Sequence, residues 1–345
     1  MLRFPKDFYF PFSHMQSRNN QKKNKGKKKA QKPKTQPRRR GNQLLAKPQL
    51  SLAAQRYLAT LLQPFDSTIL AYQPDLTTMH SRKVCVFSRG VFQSNADNFG
   101  YIVLNPYRAF SNTSTAANQC IRYSNGSDYA ATVIDCRSAT TGVTSVQTNG
   151  EYATTSTNVA YRVTSAGLRV RWAGTELSRG GRYVALEEPN HYNLHLSTVS
   201  DLLAHDNCGN APIEDNSWYT VLWTPKYGLE AQYVVIGREP DFTSLTPVNI
   251  GGAGETAAGG GFCMAIVMET AEVAQTAFFE AYVNGELVGD GVRGKSPSDS
   301  DPCGHAAVMN AMELLMPFSS KDFKNVQSSV MSKTGRQLVS LSSPN

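Results

Sequence analysis

The residues with the clearest chemical purpose are twelve cations packed into a short stretch: Arg18, Lys22, Lys23, Lys25, Lys27, Lys28, Lys29, Lys32, Lys34, Arg38, Arg39 and Arg40. A lysine ammonium is a hydrated point charge on a flexible stem, suited to neutralising phosphate rather than reading a base. No aromatic residue lies among these cations to stack on one. The stretch is therefore set out to bind a polyanion with little regard to sequence. If most of the twelve met phosphates of single-stranded RNA, log K would fall with log salt at a slope of up to roughly −8. A nuclear or nucleolar localisation signal has the same composition, and the arm alone does not choose between the two.

Other reactive constellations are sparse. The chain has no GxSxG, P-loop, HExxH or dinucleotide fingerprint, so no enzyme is expected. His191, His195 and His205 are spaced by four and ten residues, without the intervening glutamate of a metalloprotease helix. The six cysteines lack the short pair spacing of a zinc site and read as buried free thiols. Asp299-Ser300-Asp301 and Asp241 place carboxylates in polar segments. Calcium takes such ligands, and solvated surface acids are the alternative.

Positioning these residues requires two different kinds of chain. Before Asp66 sixteen cations stand against one acid, a net +15, whereas the remainder has 19 cations and 26 acids, a net −7. A body that is acidic overall leaves the arm to supply most of the attraction for nucleic acid. The arm cannot bury a core and is expected to be disordered when free. Leu50, Leu52, Ala53, Ala54, Tyr57, Leu58, Leu61 and Leu62 then recur at helical spacing up to Pro64.

Beyond Pro64 the pattern changes to short runs rich in β-branched and aromatic residues. They span Lys83–Ser88, Tyr101–Leu104, Tyr161–Trp172, Arg182–Glu187, Trp218–Trp223, Gln232–Gly237, Phe262–Glu269 and Ala277–Val283. Eight strands predict an all-β, two-sheet sandwich. Phe110–Asn158 and Pro240–Gly261 read as long exposed loops, the first with at most short strands inside it. An amphipathic helix is expected around Ala306–Met316. The division predicted is 1–65 for the basic arm and short helix, 66–293 for the shell of strands, and 294–345 for the tail. No apolar run approaches the roughly 20 residues of a transmembrane helix. Pro5, Lys6, Asp7 and Pro11 interrupt the aromatic opening, so it is not expected to act as a signal peptide.

At the level of residues the chain resembles the capsid proteins of nodaviruses and, more distantly, tombusvirus-like shells. The segments that carry the likeness are QPFDSTI (Gln63–Ile69), SRKVCVFSRGVF (Ser81–Phe92), YRVTSAGLRVRWAGTELSRGGRYVAL (Tyr161–Leu186) and AFFEAYVNGEL (Ala277–Leu287). The third resembles a strand-turn-strand element of these shells, with an ordinary long β-hairpin as the alternative. The resemblance implies an eight-stranded jelly roll that tiles a shell of roughly 180 copies with T=3 symmetry, its arm on a single-stranded RNA genome. It also implies assembly in the host cytoplasm, residence in the virion and calcium at subunit contacts through Asp241, Asp299 and Asp301. Several members cut themselves once at an Asn-Ala bond. The matching positions are Asn310 and Ala311, with Asp66 lining up with the assisting acid; an internal amphipathic helix is the alternative reading of Asn310. A cellular RNA-binding β-sandwich that touches RNA only through the arm has the same charge split, and a secreted lectin-like sandwich is a third reading.

Overall fold

The computed structural model describes residues 50–69, 72–75, 80–110, 120–136, 141–146, 159–187, 194–214, 217–225, 233–235, 263–290 and 292–312. The twelve arm cations, Asp241, His191 and the Pro240–Gly261 segment lie outside them. The described strands run in chain order as β1 (Arg82–Gln93), β2 (Phe99–Leu104), β3 (Ile121–Ser124), β4 (Val143–Val146), β5 (Val159–Trp172), β6 (Gly181–Glu187), β7 (Cys208–Pro212), β8 (Tyr219–Trp223), β9 (Val234–Val235), β10 (Met264–Thr270) and β11 (Thr276–Gly289). The helices are α1 (Leu52–Leu62), α2 (Val199–Leu203) and α3 (Pro302–Met312).

One sheet has the order β1-β11-β5-β8, with β9 also on β5, and the other β4-β3-β2-β10-β6-β7. The described pairings are antiparallel. Strands β1, β11, β5 and β8 face β2, β10, β6 and β7, and the chain crosses repeatedly between the two sets, which makes the sandwich a jelly roll. Between the sheets lies a core that includes Val86, Phe92, Ile102, Leu168, Val170, Trp223, Ile266 and Phe279. The outer face of the second sheet is covered as well, by Tyr129, Ile134, Leu194, Val199 and Leu202. This explains why β2 is buried at every position and reads as a continuous apolar run instead of an alternating one.

Seven of the eight expected strands take jelly-roll positions. Within the Gln232–Gly237 run the described residues form the two-residue β9, and the eighth strand of the sandwich is β7, sequence CGNAP. That segment has no β-branched or aromatic residue, ends in proline and forms a sheet edge, where neither burial nor a full ladder is demanded. The Phe110–Asn158 segment contains the two short strands β3 and β4, but it is not an exposed loop throughout: Ile121, Tyr129, Ile134 and Cys136 are buried. The β5–β6 connection is not a hairpin, because the two strands belong to different sheets. At its end Gly181 has φ +106°, and a Cβ there would meet the Glu269 carbonyl oxygen at 1.9 Å, so the chain can enter β6 only with glycine. The cysteines are free thiols, and Cys303 is exposed rather than buried.

Helices α1 and α3 pack together through Ala54, Tyr57, Leu58, Leu61, Val308, Met309 and Met312. Ser51 caps α1, its Oγ accepting from the Ala54 N–H at 3.1 Å. Asp301 caps α3 by accepting from the Gly304 N–H at 2.9 Å, with Pro302 at the favourable first position. Ser51 also donates to the Asp301 carboxylate, so the two helix starts are tied together. This Asp-Pro signal puts the start of α3 four residues before the expected Ala306. Close approach is allowed by Gly304, where a Cβ would lie 2.8 Å from that of Ala54.

His305 sits in this junction, its ring centroid 5.3 Å from that of Tyr57. Burial pushes its pKa below the usual 6.5. The Asp75 and Asp301 carboxylates oppose that shift, and the Arg162 guanidinium adds to it. The folded state thus favours neutral imidazole. The associated stability is fully present above pH 6.5 and is lost as the pH falls through the lower folded value. Calorimetry across this range should show the unfolding midpoint dropping on acidification, and dropping a few degrees less in His305→Gln.

Candidate functional site

The outer face of the β1-β11-β5-β8 sheet divides into an enclosed half and an open half. In the enclosed half Arg162 on β5 lies directly opposite Glu286 on β11, both side chains being 1 % exposed or less. Arg162 Nε and Nη2 each reach Glu286 Oε1 at 3.0 Å. Nη1 pairs with Asp75 and Nη2 donates to the Gln73 carbonyl at 3.1 Å. Glu286 also accepts from the Gln73 N–H at 3.0 Å, Ser81 Oγ at 2.6 Å and the Tyr233 hydroxyl at 3.2 Å.

The Tyr233 ring covers the guanidinium at 4.7 Å. Burial works to lower the Arg162 pKa, but Glu286, Tyr233 and Asp75 together leave it raised, so the ion stays charged. Burial and then Glu286 raise the Tyr233 pKa, keeping its hydroxyl a donor. Nearby, Lys83 donates to the Ser296 carbonyl at 2.8 Å and to Ser298 Oγ at 3.1 Å. The C-terminal segment is thereby held against β1.

The open half is a ladder of alternating arginine and aromatic side chains. Across the strands Phe87 pairs with Tyr282, Arg89 with Glu280 and then Arg169, and Phe278 with Arg171. Phe87 and Tyr282 stack with centroids 5.3 Å apart. Glu280 holds Arg89 at 3.1 Å and accepts from Arg169 Nε at 2.8 Å. Arg169 lies over Phe65 at 4.3 Å and Trp218 at 4.4 Å, and Arg171 over Trp218 at 4.9 Å and Phe278 at 5.7 Å. The turn after α1 closes one side: Asn284 Nδ2 donates to the Pro64 carbonyl at 3.0 Å. Gly167 admits Pro64 and Phe65, where a Cβ would come within 2.5 and 2.6 Å of them. The result is a cavity of about 530 Å³ lined by Gln63, Phe65, Asp66, Arg169, Trp218 and Tyr282, among others.

Some of the residues singled out in the sequence fall near this face. Asp66 lines the cavity, and its Oδ1 accepts from the Thr68 N–H at 2.9 Å and Thr68 Oγ1 at 2.6 Å. Asn310 is exposed and Ala311 buried, both inside α3. Asp299 accepts from the Tyr72 hydroxyl at 3.1 Å, while Asp301 caps α3. Among the described residues no three His, Cys, Asp or Glu side chains converge as metal ligands. His195 is buried, its Nδ1 3.4 Å from an Asp135 oxygen. The sequence marks Arg169, Arg171, Phe278 and Tyr282 only as members of strand runs, and Arg89 lies one residue beyond the Lys83–Ser88 run. Their period-two placement on three strands was the available signal.

This geometry gives the chain a jelly-roll fold of the kind found in viral shell proteins. The chain is similar in fold to a chain of the T13 IBDV viral particle, with a TM-score of 0.51 and 11% identity, covering 84% of this chain and 98% of that one. The structure of the Gt strain of infectious bursal disease virus gives 0.51 at 9% identity, covering 79% and 99%. No family profile and no curated protein matches the sequence. At these identities the likeness establishes the fold, and does not single out the nodavirus branch that the four segments resemble.

Removing one member of the buried pair strands the others. Glu286→Ala should destabilise the isolated subunit by about 3–5 kcal/mol, whereas replacing the pair together with apolar residues (Arg162→Met with Glu286→Leu) should cost markedly less. Denaturant titration of the two variants checks both outcomes.

Proposed function

We propose that the chain is a capsid subunit that self-assembles into an icosahedral shell and packages single-stranded RNA through its basic arm. The observation that carries this reading is the union of a jelly roll of the viral-shell type with a net charge of +15 before Asp66 and −7 after it. The jelly roll supplies the folded body of a shell, and the arm supplies the counter-charge a genome needs. In a T=3 shell of roughly 180 copies, such arms would neutralise on the order of 2,700 phosphates, a genome of kilobase scale. Among the described residues no helix is long and apolar enough to cross a membrane. A cellular RNA-binding sandwich remains the second reading on the same charge split, and electron microscopy separates the two by the presence or absence of uniform spheres.

Deleting residues 1–43 tests the division of labour. The truncated body should still assemble while its particles lose most of their RNA, measured by absorbance ratio and extraction. Particles of normal RNA content would remove the packaging role from the arm. The reading includes no turnover chemistry.

The one covalent step implied by the nodavirus resemblance is attack of the Asn310 side-chain nitrogen on its own carbonyl carbon, closing a cyclic imide and releasing Ala311 as a new amine terminus. A carboxylic acid such as Asp66 would assist by moving the proton. Mass spectrometry of aged particles decides this step. A fragment ending at residue 310 that disappears in Asp66→Asn supports it, and only the intact 37.8 kDa chain ends it.

A further inference from the structure

From the open half of the sheet face we infer that the body itself carries a second nucleic-acid contact: a stacking site for a base of single-stranded RNA in the cavity between Phe65, Trp218 and Tyr282, with Arg171 placed for the adjoining phosphate. This inference rests on the RNA-packaging reading above and adds a site to it, in a body whose net charge is negative.

The chemistry of the lining selects the ligand. Phe65, Trp218 and Tyr282 line a cavity of about 530 Å³, within the size range of small-ligand sites, each ring carrying a guanidinium or a second ring on one side. Rings of this kind take any base, because every base has a π-face. The arginines supply the complementary charge unequally. Arg89 and Arg169 are both held by Glu280, which fixes their planes over aromatic rings and offsets one of their two charges. Arg171 is held by the rings of Trp218 and Phe278 instead. Its guanidinium is therefore oriented but keeps its charge, the state that suits bidentate capture of a phosphate. Of the two carboxylates near the cavity, Glu280 is engaged by these arginines, and Asp66 Oδ1 by Thr68.

Chain connectivity also favours a polynucleotide. Gln63, Phe65 and Asp66 follow α1 directly, and the sequence leading into α1 is the cationic arm. A strand captured by the arm is thereby tethered to the same chain as the cavity, which raises its effective concentration there. Contact of the face with a second copy of this chain is the competing occupant, and the test treats it as such.

The experiment uses the full chain and a 4-thiouridine-substituted oligouridylate, irradiated and then mapped by peptide mass spectrometry. Adducts are expected both on arm peptides and on body peptides containing Phe65, Trp218 or Tyr282. Trp218→Leu should lower the body adduct about tenfold, the scale of one lost stacked base, with the arm adduct unchanged. Arg171→Gln, which removes a charge but no ring, should lower it similarly and guards against a loss of fold in the first variant. Arm adducts alone overturn the inference and leave packaging by the arm intact. Body adducts alone uphold the inference and remove the arm's role. Absence of both sinks the two together. Variants that change the oligomeric state while the body adduct is missing from wild type overturn the inference in favour of an interface between copies.

Discussion

The arrangement depends above all on the buried Arg162–Glu286 pair. Taking two charges out of water is costly, and their attraction offsets that cost only if the remaining donors and acceptors are satisfied. Here the partners come from separate parts of the chain: Gln73, Asp75 and Ser81 from the connection between α1 and β1, and Tyr233 from beside β9. The pair therefore acts as an address at which separate parts of the chain must meet. The α1–α3 unit is drawn to the same place, since Asp301 N–H bonds to the Pro74 carbonyl at 3.0 Å.

A single irregularity makes this address available. Ser165 pairs with Asn284 and Val163 with Gly285, so Thr164 has no opposite residue and β5 carries a bulge. Because side chains alternate along a strand, the extra residue moves Arg162 to the face already occupied by Ser165, Gly167 and Arg169, and turns Val163 into the core. Without it the arginine would point between the sheets. Gly285 completes the device, since a Cβ there would come within 2.8 Å of the Arg162 carbonyl oxygen and of the Phe110 ring.

This also marks what could be read from sequence. Strands such as β2, β6 and β10, whose burial is dictated by runs of Val, Ile, Tyr and Met, are legible from their residues, as is α1 from its spacing. The bulge is not, because the segment VTSAGL carries no local signal that one residue will lack a partner. Nor is β7, whose role is set by its neighbour β6. The acids told a similar story: Asp301 looked like a metal ligand, yet its place immediately before Pro302 was the stronger sign of a helix cap. The open half of the face was hidden for a different reason. Arginine and aromatic residues scattered over β1, β5, β8 and β11 become a surface only when strand order is known, and strand order is a property of the whole chain.

The two halves of the sheet face show how one set of residue types does opposite work according to cover. Under the stretch around Gln73 and Tyr233, an arginine and an aromatic ring form a closed knot in which every nitrogen of the guanidinium is engaged. Beyond Gly167 the cover ends, and the same pairing of guanidinium with ring faces stands open to solvent. The long-range attraction of the cationic arm decays over about 8–10 Å at ordinary ionic strength, and its strength collapses as salt rises. Stacking between rings acts only at contact and is far less sensitive to salt. On the proposed packaging role, the arm is the capture element and the ring-lined face the seating element, and the two respond to different conditions.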